Sequence, residues 1–417
     1  MKLMHLADLH FGKLLHGLSL TQEGDQRYWM EQALSIAGEE RPDAVLIAGD
    51  VYDRSVPPRE AVQLLDEFLS GLCALKIPVL AVAGNHDSGD RLSFLSGPLA
   101  RQGVHIAGRI GRELQKVTLR DAWGETDIWL LPYFFKAEVQ AALGLDEEPA
   151  DETEACRLLL SAQAIDGTRR NVLVMHQLVL ANGAMPVPGG SETLVGGLGA
   201  IDASCLDGFD YVALGHIHRA QSMGSPSVRY AGAPLYYHFG EVPAAEKAPR
   251  GILFVELLEK GSEPRFHLSP TRPLHRMRNL TGALAEVEEA VRRDRCEGEY
   301  LHVHLTDDTI PPGAAERLRT LIEAGGGRLL LLDRAERRFA DPEALDQLAR
   351  REERSEADYF RDFYRTIYPD RPLDGKDDRL IDRAMTLARQ AEERESGLDE
   401  AAQALIRYAL RQEEKNV

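Results

Sequence analysis

The sequence predicts an α/β layered domain, followed by a small second α/β module and a charged helical tail. Two observations carry the first part. Short apolar runs rich in β-branched residues, Val45–Ala48 and Val79–Ala83, are bounded by turn residues, as strands buried on both faces should be. Between them, Ala61, Leu64, Leu65, Phe68, Leu69 and Leu72 recur at helical spacing, the pattern of a crossover helix joining parallel strands. A third observation, a shift in composition after about residue 270, separates off the rest of the chain.

In chain order, Leu3–Ala7 opens the sheet. A helix over Arg27–Glu39 follows, with Trp29, Met30, Ala33, Leu34 and Ala37 on one side. Further strands are predicted at Asp127–Leu131, Asn171–Met175, Asp210–Leu214 and Gly251–Leu257. Thr271-Arg-Pro-Leu274 reads as a linker. The module beyond it alternates a helix (Ala283–Arg293), a strand (Tyr300–Leu305), a helix (Ala314–Ala324) and a strand (Arg328–Leu332). Residues 336–417 hold 16 Lys+Arg and 21 Asp+Glu. There Tyr359, Phe360, Phe363, Tyr364, Ile367 and Tyr368 form an aromatic stripe at helical spacing, suited to packing on the chain's own domain or to docking on a partner helix. The expected domains are therefore 1–270, 271–335 and 336–417.

Composition sets outer limits. The chain has 417 residues, 44% hydrophobic and 28% charged, which excludes a mostly disordered polypeptide. No run of about 18 apolar residues could span a membrane, and the opening Met1–Gly12 is not a signal peptide. Four scattered cysteines fit a reducing, cytoplasmic setting. The net charge of −18 argues against coating nucleic acid by bulk charge, although a local site charged by bound cations stays open.

The chemistry lies in the residues just after each predicted strand. Leu3–Ala7 runs into Asp8-Leu9-His10, Val45–Ala48 into Gly49-Asp50-Val51-Tyr52-Asp53, and Val79–Ala83 into Gly84-Asn85-His86-Asp87. Val172–Met175 runs into His176-Gln177, and Tyr211–Leu214 into Gly215-His216-Ile217-His218. A single His at a strand end is usually a satisfied core or turn residue. Five such clusters are another matter, because the carboxyl ends of strands in an open α/β sheet share one crevice. Burying Asp8, His10, Asp50, Asn85, His176, His216 and His218 together would be prohibitive without cations. Mixed imidazole, carboxylate and amide donors without Cys suit Mn²⁺, Fe²⁺ or catalytic Zn²⁺. Two such ions about 3.5–4 Å apart form a device for cleaving phosphate esters.

These motifs resemble the calcineurin-like metallophosphoesterase superfamily, whose site is defined by Asp-x-His, Gly-Asp-x-x-Asp, Gly-Asn-His-Asp/Glu, a lone His and Gly-His-x-His. The likeness covers about the first 240 residues. Within the superfamily, His5–Gly12, Ala48–Asp53, Ala83–Ser88, Tyr211–His218 and Arg229–Leu235 resemble the bacterial SbcD family of double-strand-break-repair nuclease subunits. One departure is visible: the family usually has Ser where Ala233 stands, which removes a possible hydrogen bond near the site.

The resemblance implies a four-layer metallophosphoesterase sandwich with a small α/β capping domain that contacts DNA and a helical tail that docks an ATPase. It implies that Asp8, His10 and His218 hold one divalent ion, most simply Mn²⁺, and that Asn85, His176 and His216 hold the other, with Asp50 bridging. His86 would act on the leaving group, and Asp53 and Asp87 would orient its surroundings. The implied activity is that of a DNA nuclease, an exonuclease on duplex ends and an endonuclease near hairpins or blocked ends. Its implied partners are an SbcC-like coiled-coil ATPase and a second nuclease subunit, in a heterotetramer. The same metals would equally serve a phosphodiesterase or phosphatase acting on small nucleotides or phosphoproteins, and a non-catalytic scaffold is the reading from another class.

Other features are weaker. Gly189-Gly190 and Gly196–Gly199 lack a following Gly-Lys-Ser/Thr, which disfavours ATP binding and leaves a flexible loop as the reading. Arg109, Arg112 and Lys116, and Arg292, Arg293 and Arg295, are candidate phosphate contacts but read more simply as solvated surface. His5, His16, His105, His238, His267, His275, His302 and His304 have no motif context and are expected to be structural or surface residues.

Overall fold

The computed structural model describes residues 1–190, 199–242, 250–334, 361 and 378–386. Two six-stranded sheets dominate it. The first runs, in spatial order, Arg265–Pro270, Gly251–Glu256, Lys2–Leu6, Ala44–Ala48, Val79–Val82 and Val104–Ala107; its last four strands are parallel. The second runs Gln221–Met223, Ser225–Tyr230, Tyr211–Gly215, Arg170–His176, Gly124–Leu131 and Gln115–Asp121, with its four central strands parallel.

Strand alternation gives each central strand two buried faces. Leu3, Leu46, Leu80 and Val82 of the first sheet share one apolar core with Ile128, Leu130, Val172, Val174 and Ala213 of the second, so the sheets stack face to face. The alternate set on the first sheet, Met4, Val45, Ile47 and Val79, packs on Trp29, Met30, Ala33, Leu64, Phe68 and Leu72 of helices Asp25–Glu40 and Arg59–Ala74. Leu173, Met175, Val212 and Leu214 of the second sheet are also fully buried. The helices Lys136–Leu143 and Glu152–Ser161 lie in the crossover between its parallel strands Gly124–Leu131 and Arg170–His176. With the inner face filled, that crossover has only the outer face to cross. The result is the predicted helix, sheet, sheet, helix sandwich.

Among the strands not foreseen are Gln115–Asp121, Ser225–Tyr230 and Arg265–Pro270. They lie at or beside sheet edges and bury few side chains, so they lack the continuous apolar run of the central strands. Two cysteines far apart in sequence also meet: a thiol hydrogen bond to Cys205, with burial, pushes the Cys156 thiol well above its ordinary pKa.

Residues 276–334 form a separate three-stranded parallel sheet, Arg276–Gly282, Glu299–Leu305 and Arg328–Arg334. Its core is Leu284, Val287, Val291, Leu301, Val303, Leu318 and Ile322, drawn from the strands and helices Leu284–Asp294 and Ala314–Ala324. The predicted linker is pinned rather than loose. Gln32 exchanges two hydrogen bonds with the backbone of Arg272, and the buried carboxylate of Asp25 accepts from His275 N–H and from Tyr300 Oη at 2.9 Å. In the C-terminal region, residues 378–386 are helical and Arg361 pairs with Asp378 and Asp382. The aromatic stripe and two of the glycines in the second Gly-rich stretch, Gly196 and Gly197, fall outside the described residues.

Candidate metal centre

All seven predicted donors come together where the parallel strands end. Asp8 and His10 follow Lys2–Leu6, Asp50 follows Ala44–Ala48, and Asn85 follows Val79–Val82. From the second sheet, His176 ends its strand, while His216 and His218 follow Tyr211–Gly215. Four of them take left-handed backbone: Asp8 (φ 54), His10 (φ 43), Asp50 (φ 49) and His216 (φ 108). Such residues cost of order 1–3 kcal/mol each, and they persist only where the surroundings over-determine them. The adjacent glycines serve mainly by leaving space. A Cβ on Gly84 would lie 2.1 Å from Asp50 Oδ1, and one on Gly215 would lie 1.8 Å from the Ala48 carbonyl.

Polar partners outside the cluster, two by hydrogen bond and the Asp53 carboxylate by its charge, fix which ring nitrogens face it. His218 Nδ1 lies 3.1 Å from Glu241 Oε1, His10 Nδ1 lies 3.4 Å from Asp53 Oδ1, and His176 Nδ1 lies 2.8 Å from the Ala48 carbonyl. Each acceptor calls for a proton on Nδ1, which turns the Nε2 lone pair inward. His10 Nε2 and His218 Nε2 then face each other at 3.2 Å. On the other side, His176 Nε2 and His216 Nδ1 converge on Asn85 Oδ1 at 3.0 and 3.1 Å. Asp50 Oδ2 stands between the two groups, 3.6 Å from His10 Nε2 and 3.4 Å from His176 Nε2. Asp8 Oδ2 is buried and makes no hydrogen bond.

Lone pairs aimed at lone pairs, with an orphaned carboxylate oxygen, require cations. The protonation pattern agrees. Burial pushes His10 and His216 down to about 3, so both rings are neutral donors of the kind a metal takes. Burial raises Asp8 to about 6. Burial also disfavours charge on His176, but Asp50 and Asp8 overcome it and raise that ring to about 9. Asp50 in turn is held well below the carboxylate range by His176 and His86, against the effect of its own burial. A second proton on His176, at Nε2, thus supplies the positive charge that Asp50 demands, and a metal ion would displace it. The donor set fits divalent metal ions.

The remaining predicted residues surround these. His86 borders the cluster, its ring 4.9 Å from that of His10, and its Nδ1 lies 3.0 Å from the Asp53 carbonyl. The Asp53 carboxylate accepts from Lys13 Nζ at 2.7 Å, and His10 and Lys13 hold it below its ordinary pKa although burial opposes them. Asp87 is a splint between loops: its carboxylate accepts from the backbone N–H groups of Val51, Tyr52 and Gly84. Ala233 lies in the apolar core, and its N–H donates to the His218 carbonyl at 3.0 Å, so backbone bonds close this loop without a hydroxyl.

Sequence reading missed three groups. Glu241, with its side chain fully buried, orients His218 and pairs with Arg250, which also donates to the carbonyls of His218 and Ala233. Tyr237 stands edge-on to both His10 and His218. Tyr133 stacks on His216. The only signal for Glu241 was an acid closing the aromatic run Tyr236–Phe239. The basic clusters that read more simply as solvated surface than as phosphate contacts are largely paired: Arg109 with Asp90, Lys116 with Asp127, Arg292 with Glu288 and Arg293 with Asp294.

The sandwich and its convergent N/O donors define a metal-dependent phosphoesterase. The calcineurin-like phosphoesterase family model matches residues 1–220, more than half of the chain, and the chain belongs to that family. A second model, SbcD_C, the type 5 capsule protein repressor C-terminal domain, matches residues 270–368. Among curated proteins, the chain is similar to the D subunit of the nuclease SbcCD from Staphylococcus saprophyticus, with 29% identity over 310 residues, 73% of this chain and 78% of the relative. It is similar to the protein of the same name from Staphylococcus epidermidis at 29% identity, over 74% of this chain and 79% of the relative.

Proposed function

We propose that this chain is the nuclease subunit of an SbcCD-type complex: a two-metal DNA nuclease that trims duplex ends and opens hairpins or blocked ends. The observation that carries this reading is the extent of the likeness. It runs over 310 residues of proteins named as nuclease subunits, beyond the span 1–220 that any phosphoesterase of the family would match. An enzyme for small nucleotides or phosphoproteins has no evident need for the module at 271–335 or the tail at 336–417, which we assign to DNA capping and ATPase docking.

In this reading Asp8, His10 and His218 hold one ion, Asn85, His176 and His216 the other, and Asp50 both, with Mn²⁺ the expected metal. When bound, the ions lower the pKa of the attacking water and neutralise charge on the phosphate. The chain's own groups do the rest. Glu241, Asp53 and the Ala48 carbonyl keep three imidazoles in the ligating tautomer. With Nδ1 directed to the Asp53 carbonyl, His86 keeps Nε2 for the proton that the leaving oxygen would take.

The partner would be an SbcC-like ATPase, with two nuclease subunits in a heterotetramer at a cytoplasmic, nucleoid-associated location. The net charge of −18 and the paired surface arginines support a subunit that binds DNA weakly alone and relies on its partner for phosphate contacts. Among the described residues, no helix is long and apolar enough to cross a membrane. The test is a Mn²⁺-dependent assay on labelled linear and hairpin duplexes, with wild type and His86→Ala, alone and with the ATPase. Cleavage by wild type and its loss in the variant are expected. Hydrolysis of small phosphodiesters with no cleavage of either DNA under any condition would reject the nuclease reading.

A further inference from the structure

A second cluster of ligating side chains lies in the three-stranded module. His302 and His304 are i, i+2 on Glu299–Leu305, so both rings leave the face opposite Leu301, Val303 and Leu305, which turn to the module's own core. Asp333 stands across from His304 in the parallel register with Arg328–Arg334. His302 Nε2 lies 2.8 Å from Asp333 Oδ2, and His304 Nδ1 lies 2.6 Å from Oδ1. One ligand atom from each of the three residues falls within 4.8 Å of the others.

Several features set this trio apart from an ordinary surface ion pair. The two imidazole centroids are only 3.7 Å apart, and burial pushes the pKa of His302 down, so that ring is neutral and offers a lone pair. Asp333 Oδ1 is buried and has no hydrogen bond of acceptable geometry, even with His304 Nδ1 so near. His302 is 7% exposed, and its ring packs on Phe239 at 5.2 Å, which fixes its direction. His304 and Asp333 stay partly open, which leaves an entry path.

We propose that His302, His304 and Asp333 form a binding site for one borderline transition-metal ion of the Zn²⁺ class. Two imidazoles and a carboxylate are the donors such ions prefer, and three protein ligands leave a further position for water. The ion clamps two strands of the module. It also steadies the junction with the phosphoesterase domain, because the carbonyl of Phe239, whose ring lies under His302, accepts a hydrogen bond from Asn279 Nδ2 at 3.0 Å, two residues before Glu241. This site does not depend on the substrate of the candidate metal centre.

The test uses the full chain, stripped by chelator and titrated with Co²⁺, reading ions bound per chain and visible absorption. Asp8→Asn/Asp50→Asn/His176→Gln/His218→Gln removes ligands from both halves of the candidate metal centre. That variant is expected to bind one Co²⁺ with the absorption of a site of low coordination number, and the further change His302→Gln/His304→Gln is expected to abolish it. Asp333→Asn, nearly isosteric, should weaken the same ion at least tenfold and keeps the test decisive if the double histidine variant does not fold. The proposal is overturned if the Asp8→Asn/Asp50→Asn/His176→Gln/His218→Gln chain binds no Co²⁺, or if its ion survives Asp333→Asn unchanged.

Discussion

His10 Nε2 and His218 Nε2 face each other at 3.2 Å, although 208 residues of chain separate them. Carboxylates behind both rings call for the proton on Nδ1, so the two inward nitrogens repel unless a cation lies between them. Replacing either ring by Gln removes a donor and relieves that repulsion. His218→Gln should therefore fold at least as stably as wild type without metal, yet bind one fewer Mn²⁺ per chain and lose hydrolysis. Thermal melts with and without Mn²⁺, beside metal analysis, check both halves.

Glu241 acts through His218 rather than on substrate. Glu241→Gln should weaken Mn²⁺ binding or hydrolysis by about 10–100-fold, the range for losing the partner of a ligating histidine. It also strips Arg250 of its carboxylate, so the melting temperature should fall as well. Calorimetric Mn²⁺ titration separates the affinity loss from the stability loss.

Gly84 is a matter of space. A methyl group there would meet Asp50 Oδ1 at 2.1 Å and Asp50 N at 2.4 Å, neither of which can yield without moving the shared carboxylate. Gly84→Ala should destabilise the fold by about 1–3 kcal/mol, the usual cost of overpacking, and should disrupt metal binding more than a remote change of equal ΔΔG. Urea unfolding and Mn²⁺ titration of the same protein provide the comparison.

The N-terminal amine and Arg170 both grip Asp121. They hold its carboxyl below the ordinary value of 3.8 in the folded state, against the opposing effect of burial. A depressed folded pKa gives stability that is present above 3.8 and is lost as pH falls below it toward the folded pKa. Asp121→Asn should therefore lower the melting temperature at neutral pH, by a margin that narrows as the solution is acidified below about pH 4. Paired melts across that range test the sign.

Central elements were legible because burial on both faces writes itself as a continuous apolar run. Val45–Ala48 and Val79–Ala83 needed no partner to be recognised, and the Arg59–Ala74 helix declared itself by spacing. Gln115–Asp121 did not, because an edge strand exposes many of its side chains and carries no such run. Pro and Arg mark Thr271–Leu274 as the linker that joins two strands, but its anchoring on Gln32, and that of the next residue, His275, on Asp25, was not legible because it joins residues some 240 to 250 apart. His302 and His304 read as structural or surface residues because their third partner, Asp333, lies on another strand.

What the sequence by itself marked out was the set of candidate donors: Asp8, His10, Asp50, Asn85, His176, His216 and His218 at the ends of five strands. Strand ends bring side chains within reach at spacings of one or two residues, so local order suffices to mark them. Only the tertiary structure decided which atom of each ring faces inward, that one oxygen of Asp50 stands between both groups, and that Glu241 and Arg250 hold His218 in place. Those relationships are distances of about 3–4 Å between chain segments up to 208 residues apart, and they exist only once two sheets have stacked on a common apolar core.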